Sequence, residues 1–257
     1  VPSFSFNGIN LEDYGVTVVS ASRDPMIHQF DSMQLEDKAY SWKSRLQPLV
    51  MSLDIIVIAM QEDGYVIPPV WSLGIRNLMT FLREVLNQRE DCQLVLSNMS
   101  DRFWLARFQR LEGGVIAPGH FKGSVDFLCS DPRAFEVEEI SNTHNIDADP
   151  KTVYEALAGS IYVEPVYLLT AGENLPSTTV ILENIGTEEA LQWSGSLVIG
   201  DELEIDAAHW VVKKNGIESM ETVEGHFPRL VPVINTLQVS GFGTTGTLQI
   251  TYRNAYV

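Results

Sequence analysis

The residues Gly241-Phe242-Gly243-Thr244-Thr245-Gly246 run directly into Thr247-Leu248-Gln249-Ile250-Thr251-Tyr252. The first six have the literal spacing of a dinucleotide-binding loop. That reading needs a helix to begin at the loop, so that its free amides meet a pyrophosphate, and an acidic residue about 20 positions later. The following six alternate polar and apolar side chains instead, which is the period of a half-buried strand. No acidic residue follows Gly246. The glycines are therefore expected to form a hairpin loop in a β structure.

Working outward, the same pattern recurs. Ile161–Thr170, Thr178–Glu183, Leu197–Ile199, Leu203–Ile205, Trp210–Val212 and Leu237–Val239 read as short strands, and Asn215-Gly216 has the composition of a tight hairpin turn. Strands in series without intervening helices imply antiparallel sheets packed as a sandwich. Upstream, Leu53–Ile58, Gln93–Ser97, Phe103–Leu111 and Phe121–Cys129 also read as strands. One helix is expected: Ile75, Leu78, Leu82, Val85 and Leu86 recur at spacings of three and four within residues 74–87. The expected class is mainly β, in two domains, 1–133 and 134–257, with the boundary after Asp131-Pro132. Asn142–Asp149 reads as a polar loop.

Charge separates the two parts further. The chain of 257 residues carries 17 Lys and Arg against 34 Asp and Glu, net −17. Residues 1–133 hold 12 basic and 16 acidic side chains; residues 134–257 hold 5 and 18. Such a field opposes neutralisation of nucleic acid phosphates and of anionic lipid. Leu49–Met60 is the longest apolar stretch, but 12 residues containing Ser52 and Asp54 cannot span a bilayer. No secretory leader is read at Val1–Asn10, and Cys92 and Cys129 are expected as reduced, buried thiols of a protein made in a cytoplasm.

The candidate chemistry is thin. His144, Asp147 and Asp149 offer an imidazole and two carboxylates, but an Asn- and Asp-rich segment is a common turn former. No metal or cofactor is expected. His28, His120, His209 and His226 are dispersed. No nucleophile elbow is present, and Glu202/Glu204 and Asp201/Asp206 are acidic pairs of the kind any acidic chain offers. Glu202 and Glu204 fit a solvated strand face opposite Leu203 and Ile205. Trp193, Trp210, Phe227 and Phe242 could build an aromatic platform for a sugar; Trp193 and Trp210 are the candidate glycan contacts, weighed against the alternative that these rings lie in the core.

Several segments together resemble the distal tail protein family of long-tailed, non-contractile phages. They are Phe4-Ser5-Phe6-Asn7-Gly8-Ile9 with Tyr14-Gly15-Val16, Asp101–Arg107, Lys122–Pro132, Gly200–Asp206, Asn215-Gly216, Phe227-Pro228-Arg229-Leu230, Asn235-Thr236-Leu237 and Ile250-Thr251-Tyr252-Arg253. The resemblance implies a structural virion protein without catalytic activity, six copies of which form a ring at the tail tip around a channel for DNA. It implies as partners the tail tube protein, a tail-associated tip or fibre protein and receptor-binding or adsorption proteins, with no membrane insertion and assembly in the bacterial host cytoplasm. It also implies an N-terminal β-sandwich-like domain with the helix and an extended ring-forming hairpin, expected between Arg45 and Trp71, and a C-terminal β-sandwich similar to galectins and carbohydrate-binding modules. The alternative function is a carbohydrate-binding module for host cell-wall glycans.

Overall fold

The computed structural model describes residues 3–23, 28–35, 38–58, 88, 90–117 and 120–257, with side chains at all of these except Tyr14 and residues 23–46. The chain divides into two compact units, Val1–Val137 with Val257, and Glu138–Tyr256. The expected helix over 75–87 lies outside the described residues.

The first unit contains β1 (Phe4–Phe6), β2 (Ile9–Asn10), β3 (Val16–Arg23), β4 (His28–Leu35), β5 (Lys38–Leu46), β6 (Leu49–Ile58), β7 (Cys92–Leu96), β8 (Arg102–Ala117), β9 (His120–Cys129) and β10 (Ala134–Glu136). Its main sheet runs β2-β1-β7-β8-β9-β6-β3, with β10 also on β8. Asn7 and Gly8, at φ 51° and 75°, make the two-residue turn between β1 and β2, the conformation whose twist suits a tight hairpin. Along β6, Leu49, Met51, Leu53, Ile55 and Val57 are buried and the intervening residues less so, because alternate side chains face opposite sides of a strand.

The long strand β8 organises this unit. Its start pairs with β7 and β10; from Arg107 onward it pairs with β9, through a register shift between Phe108 and Arg110. A bulge of this kind bends a strand and raises its twist, which lets the sheet close over itself. Phe4 and Phe6 of β1 thereby meet Phe127 of β9, at ring centroid distances of 5.8 and 5.1 Å. The first unit extends past residue 133 because Ala134–Glu136 add a strand to β8, with Phe135 beside Phe103 at 5.8 Å.

Strands β4 and β5 form a two-stranded sheet of their own. This hairpin precedes the range expected for the ring-forming element. Of that range, Leu49–Ile58 is instead the strand between β3 and β9, and residues 59–71 lie outside the described residues.

The second unit contains β11 (Ile140–Ile146), β12 (Lys151–Leu157), β13 (Val166–Ala171), β14 (Leu175–Asn184), β15 (Glu189–Leu197), β16 (Glu202–Asp206), β17 (Val211–Lys214), β18 (Ile217–Glu218), β19 (Val223–Gly225), β20 (Val233–Ser240) and β21 (Gly246–Tyr252). They form a six-stranded sheet, β11-β21-β13-β16-β17-β18, and a five-stranded sheet, β12-β20-β14-β15-β19. The inward faces supply Tyr167, Leu169, Ile205, Leu248 and Ile250 from one sheet and Val180, Leu182, Trp193, Leu237 and Val239 from the other, all buried. The fold is thus the mainly β sandwich architecture the strand pattern implied.

Three local readings change. Asn142–Asp149 is not a loop throughout: Ile140–Ile146 is an edge strand paired with β21. Its inward polar residues hid the strand period, and they are satisfied by the buried Glu155, which accepts from Asn142 Nδ2 at 3.0 Å and lies 2.5 Å from His144 Nε2. Val198 and Ile199 leave the sheet in a turn where Asp201 Oδ2 and Asn174 Oδ1 accept their amides, each at 3.0 Å. Gly241–Gly246 is no hairpin, since it carries the chain from β20 in one sheet to β21 in the other. A Cβ on Gly241, at φ 71°, would lie 1.9 Å from the Thr179 carbonyl oxygen, so close backbone approach accounts for that glycine.

Removing the ring on which β1 and β9 converge should be costly. Phe127→Ala is expected to lower stability by about 3–5 kcal/mol, measured by urea unfolding of the first unit's transition.

Candidate functional site

The two tryptophans proposed for sugar contact part company in the structure. Trp193 on β15 points into the sandwich, 2% exposed, and its indole Nε1 donates to Ser219 Oγ at 3.0 Å. Gly195 leaves room beside it: a Cβ there would lie 2.4 Å from the Trp193 ring. Trp193 is therefore a core residue and not a glycan contact, its polar edge satisfied as a buried indole requires. Phe242 is also in the core, at 1% exposure.

Trp210 is the opposite case. It ends the turn between β16 and β17 and is 71% exposed. Asp206 builds the turn, with Oδ1 accepting the Ala208 and His209 amides at 3.0 Å each and Oδ2 at 2.8 Å from His209 Nδ1. The backbone of Trp210 sits at φ 56°, a region that bulky residues seldom occupy. Its side chain lines a groove of about 630 Å³ together with Tyr162, Ala207, Met220, Phe227 and Arg229; Glu164, Glu189, Gly225 and His226 complete the lining. These residues come from strand ends and connecting loops.

The remaining constellations do not converge. Asp147 pairs with Lys151 at 2.5 Å, while Asp149 accepts the Gly241 amide at 2.9 Å and the Gly243 amide at 3.3 Å. Glu173 accepts the Thr244 amide at 2.5 Å. Amides that a nucleotide-binding loop would offer to phosphate are thus held by the protein's own carboxylates. Among the described residues no group of three or more His, Cys, Asp or Glu could hold a metal ion. Glu204 pairs with Lys213 at 2.7 Å, and Asp201 bonds Asn215 and Lys214 and is held down at about 2 by Asn215 first. Cys129 is buried and its thiol pushed up to about 12 by burial, whereas Cys92 is only half-buried; both are free.

Residues 158–256 match the family described as siphovirus-type tail component, C-terminal domain. The whole chain shares its fold with the crystal structure of the SPP1 Dit protein, described as a paradigm of the hub adsorption apparatus in phages infecting Gram-positive bacteria. The TM-score is 0.76 at 17% identity, over 100% of both chains. A chain of the phage p2 baseplate, in its activated conformation with Sr, matches at a TM-score of 0.47 and 9% identity, again over 100% of both chains. No curated protein sequence matches. The resemblance read from the sequence segments agrees with the family match over residues 158–256 and with the fold shared over the whole chain.

Every residue lining the groove falls within the matched stretch 158–256. Its polar side is fixed by one ion pair: Glu189 Oε1 accepts from Arg229 Nε at 2.8 Å and Nη2 at 2.5 Å, and Oε2 accepts the Arg229 amide at 2.9 Å. The Arg229 guanidinium also lies 4.8 Å from the centre of the Tyr162 ring. Behind it, Asn184 Nδ2 donates to the Arg229 carbonyl at 2.6 Å and to Asn235 Oδ1 at 3.0 Å, and Asn235 Oδ1 accepts the Val231 amide at 2.8 Å. Tyr167 O–H donates to the Pro228 carbonyl at 3.2 Å. Buried polar groups satisfied this fully make a rigid wall. Sequence reading missed Tyr162, Glu189, Met220 and Arg229 as a group; the only signal was that Phe227-Pro228-Arg229-Leu230 belongs to the segments carrying the family resemblance.

Burial pushes the Glu189 carboxyl up, but hydrogen bonds from Arg229 outweigh it and hold it below the usual range. A lowered carboxylate contributes stability that is complete above its unfolded value of about 4.3 and is lost as pH falls through the folded one. Glu189→Gln should therefore cost about 1 kcal/mol at pH 7, a figure reduced because the Arg229 side chain is 42% exposed. The gap from the parent protein should narrow in melting curves as pH is lowered past the unfolded value and through the lowered folded one.

The tryptophans should also separate in unfolding experiments. Trp193→Ala is expected to cost about 3–5 kcal/mol. Trp210→Gly should change stability by less than about 1 kcal/mol, because relief of the positive φ offsets the entropy glycine gains when unfolded.

Proposed function

We propose that the protein is a non-enzymatic hub at the distal end of a long non-contractile phage tail, six copies of which close into a ring joining the tail tube to the tip and to host-adsorption proteins. The observation that carries this reading is the agreement of fold with the SPP1 hub protein over the full length of both chains, together with the family match of the second unit. In this role the chain resides in the virion, assembles in the host cytoplasm, and lets DNA pass without binding it.

Elementary constraints support the ring. A closed ring of identical copies needs a heterologous contact, one patch meeting a different patch of the neighbour. The β4–β5 hairpin pairs with no other strand among the described residues, and an isolated two-stranded hairpin is marginal in water. Its strands of 8 and 9 residues reach about 25–30 Å at the usual rise, enough to complete a sheet edge on an adjacent copy. Six times −17 gives −102 for the ring, a field that keeps a DNA conduit from becoming a DNA trap. The acid excess lies mostly in the second half, where it suits solubility and basic partners more than the channel wall.

Light scattering and negative-stain images of the purified chain, alone and with tail partners, test the reading. A sixfold ring with a central opening is the expected result. A strict monomer throughout the micromolar range, also with those partners present, would overturn it.

A further inference from the structure

The groove around Trp210 joins three aromatic rings to an excess of negative charge, and it has no part in ring assembly as proposed. We propose that it is a docking site for a protein segment presenting an arginine side chain, whose guanidinium stacks on the Trp210 indole. Tyr162, Trp210 and Phe227 line the groove together with Met220. The face of an aromatic ring carries negative potential that attracts a cation, and an indole does so most strongly. The chain already shows this chemistry here: the Arg229 guanidinium lies 4.8 Å from the centre of the Tyr162 ring, while Glu189 accepts from its Nε and Nη2. Trp210 presents another such face to solvent, 71% exposed and at a backbone φ of 56°. A glycine would adopt that conformation freely, and strain retained at an exposed position points to use of the side chain it presents.

Charge selects the class of occupant. Glu189 neutralises Arg229, and Glu164, whose charge also acts on Arg229, leaves the lining with one negative charge in excess when His226 is counted as neutral. Residues 217–227 supply Met220, Gly225, His226 and Phe227 to the lining and carry Glu218, Glu221 and Glu224 without a Lys or Arg. Residues 138–256 as a whole hold 17 acidic and 5 basic side chains. A positively charged group is drawn into such a field, and a neutral or anionic one is not.

Among cations, the exposure of the indole favours a side chain carried by a protein over a small free ion. Sites for small molecules bury most of the ligand's surface, whereas Trp210 stands largely in water and gains cover only from a larger surface laid across it. Arginine suits both chemistries of the groove. Its planar guanidinium stacks on a ring, offers several N–H donors to carboxylate oxygens at once, and is more weakly hydrated than an ammonium, so its desolvation costs less. The turn does not leave the indole to wander: Asp206 accepts the two preceding amides and meets the His209 imidazole, so the ring's attachment point is ordered before a partner arrives. This inference goes beyond the hub reading and does not rest on it.

Titration of the full chain with a short peptide, an arginine flanked by glycines and blocked at both ends, tests the site through the tryptophan indole N–H signals in NMR spectra. The same peptide with citrulline or lysine in place of arginine, tetramethylammonium chloride and cellohexaose form the other arms. The Trp210 signal, identified by its absence in Trp210→Phe, should shift saturably with the arginine peptide at millimolar concentration, and less steeply at high salt. The citrulline peptide, of nearly the same shape but uncharged, should leave it in place. Read from the peptide's own signals, affinity should fall about threefold or more in Trp210→Ala and about twofold in Glu164→Gln, with the oligomeric state by light scattering unchanged in both. The proposal is overturned if the folded protein takes up no arginine peptide at millimolar concentration, if the citrulline peptide binds as tightly, or if Trp210→Ala binds like the parent. Tighter binding of tetramethylammonium, the lysine peptide or cellohexaose, or an altered oligomeric state that accounts for the loss, would overturn it as well.

Discussion

The constraint under which this chain folds is that a nearly all-β polypeptide must find a partner for each backbone N–H and carbonyl it buries. In the first unit the answer is β8, which serves β7 and β10 with its first residues and β9 from Arg107 onward. In the second, two antiparallel sheets share the work, and at the passage from β20 to β21 Gly241 lets the chain approach the Thr179 backbone. What remains unpaired is as telling as what is paired. The β4–β5 hairpin stands outside the sheets of the described residues, and the hub reading gives those edges a neighbour.

Strand alternation was visible in the sequence wherever one face is uniformly apolar. Leu248, Ile250 and Tyr252 on β21 and Leu203 and Ile205 on β16 declare themselves this way, and Asn215-Gly216 takes the positive φ pair, 49° and 76°, that its composition suggests. Alternation failed where the inward face is polar. On β11 the inward Asn142 and His144 answer a carboxylate on β12, Glu155, that no local pattern could reveal. Ala134–Glu136 were hard to place for a similar reason: they pair with Arg102–Trp104, a contact between residues some 30 positions apart.

The candidate site shows the same limit more sharply. Trp193 and Trp210 are equivalent as letters, yet one is sealed in the core and the other stands in water. The difference lies in their surroundings. Gly195 gives Trp193 its slot, and the Asp206 turn throws Trp210 outward. The groove's polar wall was beyond reach of sequence reasoning because Glu189 and Arg229 lie 40 residues apart, and nothing in either segment hints at the other.

The bounded stiffness of the second unit carries a consequence for its history. Turn residues 208–210 hang from Asp206 and lie outside both sheets, so exchanging them alters the surface around the groove without disturbing the ladder beneath. The Gly241 crossover tolerates no such traffic, because any side chain there collides with main chain. A lineage built on this scaffold can retune its surface chemistry one short turn at a time while the frame is inherited intact.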